Sequence, residues 1–397
     1  MKSIGSNRVH GLGDAIFAEM ENWKQEAAAN GLSIINLGIG SPDQPPSVAV
    51  RELFATEVRK DDAFRYPLSE GSMAFREAAA EWLVHRFGVE VELDPVSQVT
   101  ALMGSQDGLS HLPIALGDIG DVALVPDPGY PIFAAAPMFA GLEVVRVPLL
   151  ASNGYLPDLE AIPADIVRRA RYMILNYPNN PLAVVADLAF FARWVEWGRE
   201  HGIVLVHDLA YSELAFDGVR PVSVLQVPGA ADVAVEFHSL SKSFNLGGSR
   251  IGFLAGNAEV IRALRMVKSN FDYGVFEPTQ SAAIAALRAD MQAPFGAARV
   301  YEQRRDAFLR PLLAAGWPID VPQATMFVWA PVPTAAGMSA RAFTREVVRR
   351  TGVVVTPGDA FGAQGAGFIR IALVQEESML LEAAGRLAEY YKELKKV

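Results

Sequence analysis

The sequence predicts an α/β fold: a large, mostly parallel sheet domain sandwiched by helices, with a smaller α+β domain. Three observations predict it. Short, fully apolar runs alternate with segments of helical spacing, as in strand–helix–strand units. Several of those runs end on loops rich in glycine, proline and asparagine. The 397 residues, 51% hydrophobic and 20% charged, also supply apolar material for one large core and a smaller one. The expected organisation is an N-terminal segment (1–46) joining the small domain, a large domain (47–285) and a C-terminal small domain (286–397).

Bulk properties exclude several classes. A net charge of −10, with no basic block beyond Lys392, Lys395 and Lys396, disfavours nucleic acids and anionic membranes as partners. The absence of cysteine rules out disulfides, thiolate catalysis and Cys-based metal sites. The N-terminus lacks an apolar signal core, and no run approaches about 18 apolar residues. A soluble cytoplasmic protein is expected.

Taken in order, residues 11–30 show helical spacing, with Ile16, Phe17, Met20 and Trp23 on one side. A strand, Ser33 to Leu37, leads into Gly38-Ile39-Gly40-Ser41-Pro42-Asp43, a bare-backbone loop stiffened by prolines. It is not a dinucleotide fingerprint, because Asp43 stands where the third glycine belongs and Pro42 blocks the helix start. Helices follow over Ser47–Val58 and Met73–Phe87, with Arg65-Tyr66-Pro67 and Gly71 between them. The strand Val99–Met103 runs into Gly104-Ser105-Gln106 and a helix to Leu116. Backbone amides at such a helix start, with Ser105 and Gln106 beside them, make an anion site. No P-loop lysine is present, so a single phosphate monoester fits better than a nucleotide.

The strand Asp121–Val125 ends on Pro126-Asp127-Pro128-Gly129-Tyr130-Pro131, a turn that fixes the Tyr130 ring. A strand over 142–147 follows, and then Tyr172–Leu175, which stops at Asn176-Tyr177-Pro178-Asn179-Asn180-Pro181. Open α/β sheets place ligand contacts at such strand ends. The apolar strand Ile203–Val206 delivers His207, Asp208 and, three residues later, Tyr211. A carboxylate there requires a cationic or hydrogen-bonding partner, and a pyridinium nitrogen is one. His207 reads as packing or as support for the aspartate. Without a second ligand at metal spacing, no metal is expected.

Strands Val233–Val235 and Ile251–Ala255 bracket Ser239-Leu240-Ser241-Lys242, placed on a turn, with Gly247, Gly248 and Arg250 beyond. A lysine held among small and hydroxyl side chains is where a depressed pKa and a Schiff base become possible. A helix over 257–269, the aromatic loop 270–276 and a helix over 297–315 lead into the small domain. Its expected strands are Ala324–Trp329, Val353–Gly358 and Phe368–Leu373; Arg370 lies within the last and needs a partner.

Ser239-Leu240-Ser241-Lys242, with Arg250 eight residues on inside Gly-Gly-Ser-Arg-Ile-Gly, resembles the lysine motif of the fold type I pyridoxal-phosphate aminotransferases (class I/II). Asn180, Asp208 and Tyr211 stand in that family's order, and the resemblance spans Gly38 to Leu373. It implies the PLP transferase fold, pyridoxal 5'-phosphate as cofactor, and transfer of an amino group between an L-amino acid (alanine, LL-diaminopimelate or aspartate-like) and a 2-oxo acid, with 2-oxoglutarate and glutamate as one pair. Lys242 would form the Schiff base and move the Cα proton. Asp208 would pair with the ring nitrogen, while Tyr211 and Asn180 bond its ring oxygen. Ser105, Gln106, Ser239 and Arg250 would hold the phosphate, joined by Tyr66 from the neighbouring subunit of a homodimer. Tyr130 would stack on the ring, and Arg370, Gly40 and Asn180 would meet the substrate. Phe17, Ile39, Tyr273, Phe276 and Met326 are candidates for lining the side-chain pocket.

Within the family the chain is similar to LL-diaminopimelate aminotransferases and to bacterial alanine (glutamate–pyruvate) aminotransferases. It departs from the usual pattern at Leu182-Ala183, where Thr-Gly is common, and at Ser249, where Trp is. A lyase or decarboxylase on the same scaffold, or a non-catalytic cofactor-binding protein, remains an alternative reading of the same residues.

Overall fold

The computed structural model describes residues 6–10, 16–89, 93–292 and 296–396, with the side chains of Asn7 and Phe17 also outside the description. Its strands in chain order are β1 (Ile35–Asn36), β2 (Val99–Leu102), β3 (Val122–Asp127), β4 (Glu143–Pro148), β5 (Ala170–Asn176) and β6 (Val204–Asp208). They continue as β7 (Ala234–Ser239), β8 (Gly252–Gly256), β9 (Phe327–Pro331), β10 (Val353–Val354), β11 (Thr356–Pro357) and β12 (Phe368–Ala372).

Seven of them form the main sheet, in the order β2-β8-β7-β6-β5-β3-β4. The run from β7 through β6, β5 and β3 to β4 is parallel, and β8 lies antiparallel to both β7 and β2. Parallel strands covered on both faces read as unbroken apolar runs, which is why β3, β5 and β6 were visible in the sequence. One face packs on Phe191, Trp194 and Trp82; the other packs on Leu109, Leu112 and Leu264. The helices doing this are bounded by side-chain caps: Asp187 accepts from Phe190 N at 2.7 Å and Asn257 from Val260 N at 2.9 Å.

A second core gathers Ile35 and Leu37 with Trp317, Phe327, Phe343, Ile369, Leu380 and Tyr391. There β9, β12 and β11 make an antiparallel sheet, while β1 pairs in parallel with β10. Among the described residues no helix is long and apolar enough to cross a membrane.

Three expectations are corrected. Lys242 sits in a one-turn helix, Leu240–Ser243, capped by Ser239, rather than in an open turn. The strand expected over 353–358 splits, because Val353 and Val354 pair with β1 whereas Thr356 and Pro357 pair with β12. The strand expected from Ala324 begins at Phe327, since Thr325 has a φ of 69° and leaves the extended path. Of the first helix, the described part is Ile16–Ala29; residues 11–15 lie outside the described residues.

Candidate active site

The parallel strands β3, β5, β6 and β7 release their chains at one edge of the sheet, and the side chains they release converge there. A cavity of about 350 Å³ is lined by Gly40, Ser105, Gln106, Tyr130, Asn180, Asp208, Tyr211, Ser239, Lys242, Arg250 and Arg370. Every residue expected to hold the cofactor or the substrate carboxylate is in that group except Tyr66.

Asp208 is the last residue of β6 and is buried at 5% exposure. Burial pushes its carboxyl up to about 7, against the charge of His207 and a backbone hydrogen bond from Ala210. Its Oδ1 is buried and has no hydrogen-bond partner. His207 does not bond the aspartate; its ring contacts Glu236 at 2.7 Å and the Tyr177 carbonyl at 3.0 Å.

Lys242 Nζ donates to the Gly40 carbonyl at 2.6 Å. Burial, then the charges of Arg370 and Arg250, pull its ammonium down to about 8. A side chain at Gly40 would fill this space, since a Cβ would lie 2.4 Å from the Phe327 ring.

Arg370 donates from Nη1 to Asn180 Oδ1 at 3.0 Å and from Nη2 to the Gly38 carbonyl at 2.8 Å. Its guanidinium carbon lies 4.4 Å from the Phe327 ring centre and 4.7 Å from that of Phe361. Burial pulls it down to about 10, and its Nε has no partner. The Asn180 side chain also hydrogen-bonds Tyr211, whose phenol burial pushes up. The Tyr130 hydroxyl donates to Gln106 Oε1 at 3.2 Å.

Ser105 opens the helix Ser105–Leu116, and its buried Oγ has no partner. Arg250, with a φ of 53°, donates to the Gly247 carbonyl at 2.9 Å. Its Nη2 comes so close to Gly104 that a Cβ there would lie 2.6 Å away, so glycine is required at that approach. Asp107, next along this helix, accepts from Met103 N at 2.9 Å and from the buried Lys268 at 2.5 Å, which ties the helix start to β2.

These residues fit pyridoxal phosphate. The buried, unpartnered Oδ1 of Asp208 matches a cationic ring nitrogen. The Ser105 hydroxyl at a helix N-terminus beside Arg250 matches a phosphate, and a lysine of lowered basicity matches an aldehyde carbon.

Tyr66 is 84% exposed and stands apart from the cavity, its ring 5.1 Å from that of Tyr273. Ile39 lines the cavity. Tyr273 and Phe276 do not: Phe276 pairs with Phe64, and Tyr273 is 68% exposed. Met326 is buried in the second core and leaves the cavity wall to Phe327. The side chain of Phe17 lies outside the described residues. Phe327, Phe361 and Asn176 were missed by sequence reasoning. Alternation along β9, read from the buried Trp329, would have put Phe327 rather than Met326 on the face of Arg370.

Fold and site together define a pyridoxal-phosphate enzyme of the aminotransferase type. The sequence model of the family "Aminotransferase class I and II" matches residues 33–387, and the chain belongs to that family. It is a pyridoxal-phosphate-dependent transaminase. The chain is 46% identical to an LL-diaminopimelate aminotransferase of Desulforudis audaxviator and 44% identical to one of Moorella thermoacetica; the matches cover 98% of both chains and 96% and 97% respectively. Among solved structures, substrate-bound BacF from Bacillus subtilis aligns with a TM-score of 0.92 at 34% identity, covering 98% of each chain. A probable N-succinyldiaminopimelate aminotransferase from Thermus thermophilus aligns at 0.88 and 36%, covering 94% of this chain and 99% of that one.

Proposed function

We propose that this transaminase takes LL-diaminopimelate as amino donor and 2-oxoglutarate as acceptor. The donor is supported by the names of relatives matched along nearly their whole length. The residue roles rest above all on one observation: Lys242, Arg370 and the Asp208 carboxylate, with its unpartnered Oδ1, share one cavity.

Pyridoxal phosphate supplies the carbonyl that captures an amino group and the ring that withdraws electrons from the substrate Cα. The protein does the rest. Arg370 clamps the substrate α-carboxylate with its planar fork, held flat between Phe327 and Phe361. Lys242 Nζ, near 8 and half neutral at mildly alkaline pH, accepts the Cα proton and returns it. Asp208 offers its free oxygen to the ring nitrogen, and Tyr211 with Asn180 offers donors to the ring oxygen. Ser105, Gln106, Ser239 and Arg250 hold the phosphate, and Tyr130 covers one ring face. Tyr66, exposed here, completes the phosphate site of the second subunit in a cytoplasmic homodimer.

The test is the visible absorption of the purified protein during single half-reactions. LL-diaminopimelate is expected to convert the cofactor band to the pyridoxamine form, and 2-oxoglutarate to restore it. Conversion by alanine but not by LL-diaminopimelate would refute the donor assignment.

A further inference from the structure

β6 and β7 pair with His207 opposite Glu236. Side chains alternate along a strand, so both lie on the sheet face opposite to the one Asp208 occupies. That face is otherwise apolar: the His207 ring centre is 4.7 Å from that of Phe191, and His238 stacks on Phe253 at 4.6 Å. His207 and Glu236 are nevertheless fully buried. Charge in such a place is costly unless every lone pair and proton is matched.

Here they are matched. Glu236 accepts from Ser223 Oγ at 2.6 Å, His238 Nε2 at 2.8 Å, Val224 N at 2.8 Å and His207 Nδ1 at 2.7 Å. Burial works against the charge on Glu236, but the hydrogen bonds from the two histidines outweigh it and hold the carboxyl at about 2. The other ring nitrogen of His207, Nε2, faces the Tyr177 carbonyl at 3.0 Å. Both nitrogens of His207 therefore face acceptor groups, an arrangement satisfied in full only if each nitrogen donates. His238, whose Nδ1 is unpartnered, needs only one ring proton.

Neither Glu236 nor His207 lines the cavity. Their neighbours are the residue after β5, β7, the segment 223–224 and the helix Leu188–His201, which present the Tyr177 carbonyl, His238, the Ser223 hydroxyl with the Val224 amide, and Phe191. Asp208, one residue from His207, is faced from the cavity by Tyr130, Tyr211, Lys242 and Arg370.

We propose that Glu236 and His207 are positioning residues for the cofactor aspartate: Glu236 keeps His207 an imidazolium, and that fixed cation behind Asp208 keeps its carboxylate charged for the ring nitrogen of pyridoxal phosphate. The inference rests on the reading of Asp208 as partner of that nitrogen. Of the influences on Asp208 that oppose burial, the charge of His207 is the largest.

Two measurements test it. In the cofactor-free protein labelled with ¹⁵N-histidine, long-range proton–nitrogen correlation is expected to show both His207 nitrogens protonated at pH 8, and only one in Glu236→Gln. The second compares binding of pyridoxal phosphate with its 1-deaza analogue, which has carbon in place of the ring nitrogen. Wild type is expected to prefer pyridoxal phosphate, and Glu236→Gln and His207→Gln to lose about tenfold of that preference, one unit of differential interaction. A neutral His207 in wild type overturns the proposal whether or not the variants fold. An unchanged preference in the variants, or an equal loss for both cofactors, overturns it and leaves the Asp208 reading standing. A wild type without any preference overturns the Asp208 reading itself.

Discussion

Replacing Asp208 with asparagine should make the cofactor-free protein more stable at alkaline pH, although it removes the proposed partner of the cofactor ring. The carboxyl is held at about 7 in the fold against an ordinary 3.8, with burial as the main cause. Three units correspond to about 4 kcal/mol. The folded state binds this proton more tightly than the unfolded chain, so stability falls as pH rises from about 4 to about 7. The penalty is absent below that window and complete above it. Between pH 5 and pH 8 the loss from this one group comes to about 2–3 kcal/mol. An asparagine does not titrate. Its amide adds an orphan donor where Oδ1 now stands, a cost of about 1–3 kcal/mol that does not change with pH. The slope is therefore diagnostic, and the offset is not. The assay is urea unfolding of cofactor-free wild type and Asp208→Asn at pH 5, 6, 7 and 8. The variant's relative stability is expected to rise by about 2–3 kcal/mol across the series, and saturating pyridoxal phosphate to stabilise wild type more than the variant. Parallel pH profiles in the cofactor-free proteins would refute the claim that Asp208 is a destabilised, unpaired carboxyl.

Other substitutions probe the remaining corners of the cavity. Lys242→Ala should lower turnover by about 10³-fold or more while the protein still binds cofactor, as steady-state rates and absorption spectra will report. Arg370→Lys keeps the charge but loses the planar fork between two rings, so kcat/KM for amino-acid substrates should fall by about 10²-fold. Gly40→Ala drives a methyl into Phe327; a loss of about 1–3 kcal/mol in urea unfolding is expected, together with reduced activity.

The parts of the fold legible in the sequence are those where burial is uniform. β5 and β6 are apolar on both faces, and any residue set at their ends stands out, as Asn180 and Asp208 did. Lys242, Arg250 and Arg370 were legible because charged side chains inside apolar or glycine-rich stretches demand a partner. Cross-strand information was not legible. Glu236 reads as one polar residue in a strand until register sets it opposite His207. The split of residues 353–357 between two sheets depends on where β1 and β12 lie, which no local pattern encodes. Tyr66 was read from a resemblance that assigns it to a neighbouring subunit, and in the chain itself it is exposed.

The hydrogen bond from Arg370 to the Gly38 carbonyl spans 332 residues, and that from Lys242 to Gly40 spans 202. Thr356 also donates to the Gly38 carbonyl, across 318 residues. Apart from Lys242, these partners of the glycine loop lie in β11 and β12, so the loop is fully seated only once those strands have left the ribosome. Loops of that length close late and slowly. The sheet can fold around β5, β6 and β7 well before this, with Lys242 and Asp208 in place but the arginine side of the cavity open. Biogenesis thus has a built-in order, in which amino-acid recognition is the last competence the nascent enzyme acquires. Chains stalled before β12 are expected to hold cofactor chemistry without the means to select a substrate.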